Sequence, residues 1–283
     1  MGIEGRSLLT GLSLTLIIVL GTTNTVNASE DMAFGPLATN GEPLWRLIYA
    51  SDAVSTNLSK IKMALVDASI ALSEAGVDGP DARAVLSNLT QADSAVIDCI
   101  TIDVNGTVRE VEPESFASVK GENLRWQKHV NDTLNIRLYL GFYFIDAVEG
   151  SYAIDSEMPV FDRNGTLIGT VSLMFNNSQF FERVLAPFKP GGNSKIWVCK
   201  ADDGTILYET DPSQILLNKS SSIYQEYPEI LKLADRMSAE RTGYGTYGFL
   251  DQSHGEAVEK GCYWATIPNE GTEMRIVLTT QIS

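Results

Sequence analysis

CITIDVNGTVREVEP, residues 99–113, recurs in outline as CKADDGTILYETDP, residues 199–212. Both stretches run from a cysteine through a turn containing Gly-Thr to an acidic residue followed by proline, and Asn105-Gly106 is a strong two-residue hairpin signal. A Gly-Thr pair also precedes the closing strand of each half, at residues 165–166 and 271–272. The sequence therefore predicts an α+β protein with two tandem copies of one module. In each copy, helices separate the second and third strands of an antiparallel sheet.

A proline- and glycine-rich cluster, PFKPGG at residues 187–192, predicts the boundary between the copies. We expect an export signal over residues 1–28, a segment with a long helix over 29–77, a first module over 78–189 and a second module over 190–283. Strands are expected in the first module at 96–103, 107–111, 139–146, 151–157, 159–161 and 166–175, with a helix at 126–134 and a short helix capped by Ser178. The second module is expected to contain strands at 195–200, 205–209, 243–249, 258–266 and 274–280 and a helix at 224–237.

A long helix is predicted from Pro43 to Gly76, because proline suits a first turn and neither proline nor glycine recurs in between. Apolar residues occupy every a and d heptad position of this helix except Ser51. They are Leu44, Leu47, Val54, Leu58, Ile61, Leu65, Ala68, Leu72 and Ala75. The stripe has two interpretations that the sequence does not separate, a dimer seam and a face packed on the chain's own sheets.

The N-terminus predicts export. An apolar run over residues 8–21 precedes Val26-Asn27-Ala28, a small-residue pattern typical of signal peptidase sites, and an uncleaved anchor is the alternative. Eight of the fifteen asparagines begin an Asn-X-Ser/Thr acceptor, which indicates a secreted or cell-surface glycoprotein. These are Asn27, Asn57, Asn88, Asn105, Asn131, Asn164, Asn176 and Asn218.

Composition excludes some functions. The net charge of −15 opposes nucleic-acid phosphates, so no nucleic-acid partner is expected. Cys99, Cys199 and Cys262 lack the spacing of a zinc site, so no metal or cofactor is expected, and buried thiols are favoured over one disulfide. The sequence has neither a GxSxG elbow, nor a P-loop, nor HExxH, and its two histidines are far apart. We therefore expect a binding protein and not an enzyme.

Candidate ligand-binding residues gather in the first module. They are Trp126, Arg137, Tyr139, Tyr143, Tyr152 and Asp155. An apolar, aromatic lining with a few polar groups is typical of small-molecule pockets, and period-two alternation predicts Tyr139 and Tyr143 on one strand face. Arg137 with two tyrosines would suit a carboxylate or another small anion. Each aromatic residue could also belong to the core. The second module is expected to be empty or vestigial, because its matching stretch 244–248 is glycine-rich.

The ordered set of motifs resembles the double Cache sensor domains, in which a long helix carries two PAS-like modules. The likeness rests on the long helix and on residues 111–113, 148–150, 159–162, 196–198, 227–229 and 271–273. The resemblance implies a ligand pocket in the first, membrane-distal module and a homodimer along the long helix. Amino-acid-binding members have an Arg-X-Trp-Tyr stretch and an aspartate at the end of the last distal strand. Here Arg125 adjoins Trp126 and the strand ends Met-Phe-Asn at residues 174–176, so an ordinary amino acid is disfavoured.

We therefore expect an extracytoplasmic small-molecule sensor. Since the sequence ends at Ser283 after the last strand, the expectation includes a sensor without its own signalling output, which reports to a separate membrane partner or presents solute. A structural cell-surface glycoprotein that reuses the fold without a ligand is the alternative.

Overall fold

The computed structural model describes residues 42–146, 152–251 and 256–282. The expected export signal and Asn27 lie outside the described residues. The helices are α1 Glu42–Ala75, α2 Pro80–Leu89, α3 Lys128–Ile136, α4 Asn177–Leu185, α5 Ser222–Gln225 and α6 Pro228–Ala239. The strands are β1 Val96–Asp103, β2 Val108–Glu112, β3 Phe142–Asp146, β4 Tyr152–Phe161, β5 Leu167–Phe175, β6 Ser194–Lys200, β7 Ile206–Tyr208, β8 Thr242–Asp251, β9 Glu256–Ile267 and β10 Met274–Gln281.

Two antiparallel sheets repeat the same strand order. The first sheet runs β2-β1-β5-β4-β3 and the second runs β7-β6-β10-β9-β8. In both, the strand that closes the module pairs with the strand that opens it, as β5 pairs with β1 and β10 with β6. This arrangement confirms the predicted fold class, a long N-terminal helix followed by two modules of one plan.

Several helices and strands begin or end at other residues than predicted, because local turns and caps set their ends. The helix expected at 126–134 is α3, Lys128–Ile136, and Arg137 ends it in the left-handed conformation with φ 62°. The strand expected at 139–146 begins only at Phe142. Asn176, not Ser178, caps α4, since its side chain accepts a hydrogen bond from Gln179 N at 2.9 Å. The helix expected at 224–237 is split into α5 and α6, with Pro228 in the first turn of α6.

Helix α1 runs alongside both modules. Its 34 residues give a length of about 50 Å at 1.5 Å per residue. Near its start the Ser51 hydroxyl donates to the Thr266 carbonyl of the second module at 3.2 Å, and further on the Ser69 hydroxyl donates to the Pro159 carbonyl of the first at 2.8 Å. Apolar residues of α1 and of both sheets form a single buried cluster. One helix therefore joins the cores of the two modules.

The heptad stripe of α1 belongs to this core. Leu58, Ile61 and Leu65, the residues expected at the centre of a dimer seam, are 1%, 0% and 0% exposed within one chain. The seam interpretation is therefore wrong for these residues, since a side chain already enclosed by its own sheets has no surface left for a partner. Exposed apolar residues of α1 lie off the stripe, apart from Leu44 at its first position. The large ones are Leu44, Trp45, Ile48, Tyr49, Met63 and Ile70.

The two modules also meet through backbone hydrogen bonds. Phe142 N donates to Glu270 O at 2.9 Å, and Thr272 N donates to Phe142 O at 2.7 Å. Gly141 precedes this contact with φ 108°, and a Cβ on it would lie 2.1 Å from the Glu270 carbonyl carbon. Only glycine fits there. The start of β3 is thereby tied to the β9–β10 turn.

The structure describes several of the predicted glycosylation acceptors. Asn88, Asn105 and Asn164 are exposed, whereas the Asn57 side chain donates to Ala53 O at 2.8 Å and that of Asn176 caps α4. Glycosylation stays a prediction, and the exposed asparagines are its best acceptors. Among the described helices, none combines the length and apolar character needed to span a membrane.

The three cysteines are buried and free. Cys99 lies in the cluster shared with α1, and Cys199 and Cys262 pack beneath α6 with Trp264. Burial raises the pKa of Cys262 to about 12. These thiols act as small apolar core residues, as favoured from the sequence.

Candidate ligand-binding site

The face of the first sheet that points away from α1 is lined with polar groups. On β4, Ile154, Met158 and Val160 join the core cluster with α1. Alternation along the strand then places Asp155 and Glu157 on the opposite face. The pairing register puts Tyr143 of β3, Asp155, Met174 of β5 and Asp98 of β1 in one row across this face.

The two carboxylates of β4 are buried and incompletely bonded. Asp155 Oδ2 accepts a hydrogen bond from the Ser172 hydroxyl at 2.5 Å, and Glu157 Oε1 accepts one from the Thr170 hydroxyl. Asp155 Oδ1 and Glu157 Oε2 are buried without a hydrogen-bond partner in the described structure. A buried acceptor left unbonded costs about 1–3 kcal/mol, and more when it is charged. This face therefore lacks donors for two acidic oxygens.

Helix α3 covers the carboxylates. Its buried His129 places Nε2 3.6 Å from Asp155 Oδ1, too far for a hydrogen bond, and stacks on the Tyr143 ring with centroids 5.7 Å apart. One turn further along α3, Thr133 Oγ1 is a third buried atom without a partner in the described residues. We call Asp155, Glu157, His129, Thr133 and Tyr143 the distal cluster.

Burial disfavours the ionised form of both carboxyl groups of the distal cluster, and a positively charged neighbour would stabilise that form. Burial raises the pKa of Asp155, against the opposing effects of His129 and of the Ser172 hydrogen bond. Burial and the neighbouring Asp155 raise the pKa of Glu157 from 4.5 to about 8. Among the described residues, only His129 brings a basic group within ion-pair distance of either carboxylate. The cluster therefore suits a group that donates several hydrogen bonds and carries positive charge.

The structure brings together only some of the residues predicted for the site. Tyr143 and Asp155 belong to the distal cluster. Tyr139 is on the other side of the sheet, where its hydroxyl lies 3.1 Å from Ser156 Oγ and Lys62 Nζ lies 4.8 Å from its ring centroid. The expected shared face of Tyr139 and Tyr143 is thus wrong, because Tyr139 precedes β3.

The remaining candidates lie at the surface. Trp126 is 75% exposed just before α3, and Arg137 is exposed at the left-handed end of that helix. Tyr152 stacks on Phe144 at the start of β4, with ring centroids 5.6 Å apart. None of the three is within the row that contains Asp155 in the described structure. An anion-binding role for Arg137 with the two tyrosines therefore has no geometric support.

Sequence reasoning missed Glu157, His129 and Thr133. One signal was present, because β4 reads YAIDSEMPVF, with two acidic residues two positions apart inside an otherwise apolar strand. Two acidic residues on one face of a strand usually indicate that this face of the sheet is exposed to water. Here α3 encloses it, which the sequence pattern does not reveal.

A cavity of about 500 Å³ lies in the second module, between the sheet and helices α5 and α6. Trp197, Tyr247 and Phe249 of the strands line it, together with Tyr224 and Leu233 of the helices. The glycine-rich stretch 244–248 therefore contributes to a cavity wall and does not merely form a bend.

The described residues contain no group of three His, Cys, Asp or Glu side chains that could hold a metal ion.

Comparisons with known proteins bear on both modules. Residues 56–177 match the model of the family described as HK/GC/Chemotaxis protein-like, sensor domain. No curated protein sequence matches the chain. A solved extracellular ligand binding receptor from Desulfohalobium retbaense is 26% identical with a TM-score of 0.72, and the match covers 86% of this chain and 41% of that one. The chain thus spans less than half the length of that receptor chain.

Two more distant structures share the fold. The ligand binding domain of the Pseudomonas aeruginosa amino acid chemoreceptor PctB, in complex with L-Arg, is 14% identical with a TM-score of 0.61, over 84% of this chain and 93% of that one. The ligand-binding domain of the Pseudomonas fluorescens chemoreceptor CtaA, in complex with L-serine, is 14% identical with a TM-score of 0.58, over 83% and 93%. The chain therefore has the double Cache fold of ligand-binding sensor domains, with a sensor-family sequence match over residues 56–177.

Proposed function

We propose that the chain is an extracytoplasmic sensor domain that binds a small molecule carrying a primary amine at the distal cluster. The observation that carries the proposal is the pair of buried acidic oxygens, Asp155 Oδ1 and Glu157 Oε2, that have no hydrogen-bond partner in the described structure. A protonated amine supplies three donors and a positive charge. It would satisfy both oxygens and neutralise the charge that burial penalises.

The surrounding groups favour an amine over an anion. An anion in the distal cluster would face Asp155 and Glu157 with His129 as the nearest basic group in the described residues. The sequence-based expectation of an anionic ligand at Arg137 is therefore replaced by an amine at the carboxylates. PctB in complex with L-Arg and CtaA in complex with L-serine show that this fold accommodates ligands with an amine, although both ligands also carry a carboxylate.

The same observation weighs against a purely structural glycoprotein. A protein that reuses the fold without a ligand gains nothing from buried, unsatisfied carboxylates, which replacement by apolar residues would remove. Transfer of the binding signal to a membrane partner, as expected from the sequence, is part of the proposal.

A titration of the full chain tests the proposal. We expect heat of binding with at least one of L-serine, L-arginine and ethanolamine, and none with succinate. Glu157→Gln or Asp155→Asn should weaken that binding roughly tenfold to a hundredfold, because each removes a charge-assisted hydrogen bond worth about 1.5–3 kcal/mol.

Two control variants sharpen the titration. Glu122→Gln makes the same change at an exposed glutamate of the same module and should leave affinity unchanged. Arg137→Ala should also have no effect. Binding of succinate that depends on Arg137, or amine binding that ignores both carboxylate variants, would contradict the proposal.

A further inference from the structure

We propose that the second module is a separate binding site, whose cavity takes a neutral ring compound that carries one N–H or O–H donor. The inference rests on the cavity alone and is independent of the amine site in the first module.

The size and walls of the cavity suit an apolar ring. Its volume of about 500 Å³ lies within the range of about 300–1,000 Å³ typical of small-molecule pockets. Aromatic rings from three elements line it, namely Trp197 on β6, Tyr224 on α5, and Tyr247 and Phe249 on β8. Aliphatic side chains complete the wall, and they include Ile206, Ile230, Leu233, Met237 and Val258. Flat ligands stack on such rings at centroid distances of about 4.5–7 Å.

One polar group in the wall is ready to accept a hydrogen bond. The buried Glu209 uses Oε1 to accept from Thr210 N at 2.8 Å and from the Thr210 hydroxyl at 2.6 Å. Lys195 Nζ lies 3.9 Å from the same oxygen, beyond hydrogen-bonding distance. Oε2 accepts no hydrogen bond from the described residues. The Tyr247 hydroxyl also has no hydrogen-bond partner among them, and burial raises its pKa, so it stays neutral.

The charges around the cavity select a neutral ligand. Two of the lysines in the lining are paired with carboxylates, Lys200 with Asp202 and Asp203 and Lys219 with Asp235, so they leave no positive excess that would attract an anion. The buried carboxylate of Glu209 also opposes an anion placed beside it. A neutral ring with one donor needs no charged partner and supplies the hydrogen that Glu209 Oε2 lacks.

A matched pair of probes tests the inference. 1-Methylindole has an N-methyl group in place of the N–H donor of indole, and both compounds are titrated calorimetrically into the full chain. We expect indole to bind with a Kd of about 1 mM or tighter, and 1-methylindole to bind at least about tenfold more weakly. Benzylamine and benzoate, one cationic and one anionic, should both bind more weakly than indole.

Variants on α6 locate the site. Ala234 lines the cavity, so Ala234→Phe should fill it and weaken indole binding at least about tenfold. Ala239→Phe makes the same change at an exposed position of the same helix and should leave binding unchanged. Glu122→Gln, at an exposed position of the first module, should also leave indole binding unchanged. Should Ala234→Phe fail to fold, the two probes still decide the case on the unmodified chain.

Three results would overturn the inference. They are an absence of indole binding at millimolar concentration, equal affinity for the two indoles, and stronger binding of either charged probe. Indole binding that persists in folded Ala234→Phe would equally remove the cavity as the site.

Discussion

A chain with glutamate at both Leu58 and Leu65 is expected to lose its fold, not to dissociate from a dimer. Both side chains are buried between α1 and the sheets. Each substitution removes apolar burial and places a carboxylate without a partner in the core, at a cost of several kcal/mol per site. The sum approaches or exceeds the 5–15 kcal/mol by which a typical domain is stable. Circular dichroism and size-exclusion chromatography should show an unfolded or aggregated product.

The matched control uses the exposed side of the same helix. Met63 and Ile70 are 56% and 62% exposed, so Met63→Glu with Ile70→Glu should leave the chain folded. A core double variant that stays folded, with half the mass of the unmodified chain in solution, would restore the dimer-seam interpretation of the stripe.

Replacing Glu157 by Gln is expected to abolish a large part of the pH dependence of stability. The folded pKa of Glu157, about 8, lies above its usual value of 4.5. Between these values the folded state keeps a proton that the unfolded state has released, so the free energy of unfolding falls as pH rises. The stability is fully present below about pH 4.5 and is lost by about pH 8, with a total on the order of a few kcal/mol.

The comparison of Glu157→Gln with the unmodified chain must account for the other polar groups around Glu157. Asp155 lies two positions away on β4, Thr170 and Ser172 face it from β5, and His129 and Thr133 come from α3. These groups remain in Glu157→Gln, so the difference between the two proteins isolates the glutamate. Urea unfolding at pH 5 and pH 8.5 should show similar stability at the lower pH and a more stable variant at the higher pH. If the free energy of unfolding changed equally between pH 5 and pH 8.5 in the two proteins, Glu157 would already be ionised in the folded state over this range.

The fold was largely predictable because its signals are local and repeated. The turn after each first strand and the Gly-Thr pair before each last strand occur in both halves, and two modules of one plan follow from them. The role of the α1 stripe was not predictable, since Leu58 and Leu65 satisfy the same heptad pattern whether they face a second helix or the chain's own sheets.

The candidate sites were predictable only in part. Tyr143 and Asp155 stand out as an aromatic and an acidic residue in strands, but the backbone turns at Arg137 and Gly141 separate Tyr139 from them. Glu157 joins the site only because α3 folds over β4. The cavity of the second module was missed because its walls come from distant parts of the chain, such as Trp197, Leu233 and Tyr247.

The two candidate sites share one scaffold. Helix α1 packs against both sheets, and the Phe142 hydrogen bonds tie the first module to the β9–β10 turn. Tyr143 of the distal cluster directly follows Phe142 in β3. A ligand that repositions Tyr143 therefore acts one residue from the junction between the modules.

Histidine ring signals in NMR test the central claim most directly. The chain has only two histidines, His129 in the distal cluster and His254, which lies outside the described residues, so a ¹⁵N-histidine-labelled protein gives a simple spectrum. Assignment needs only a His254→Gln variant. On addition of whichever of L-serine, L-arginine and ethanolamine binds most tightly, the account predicts that the His129 signals shift in saturable fashion while those of His254 do not. Saturable binding that leaves His129 unshifted would place the ligand outside the distal cluster and contradict the account.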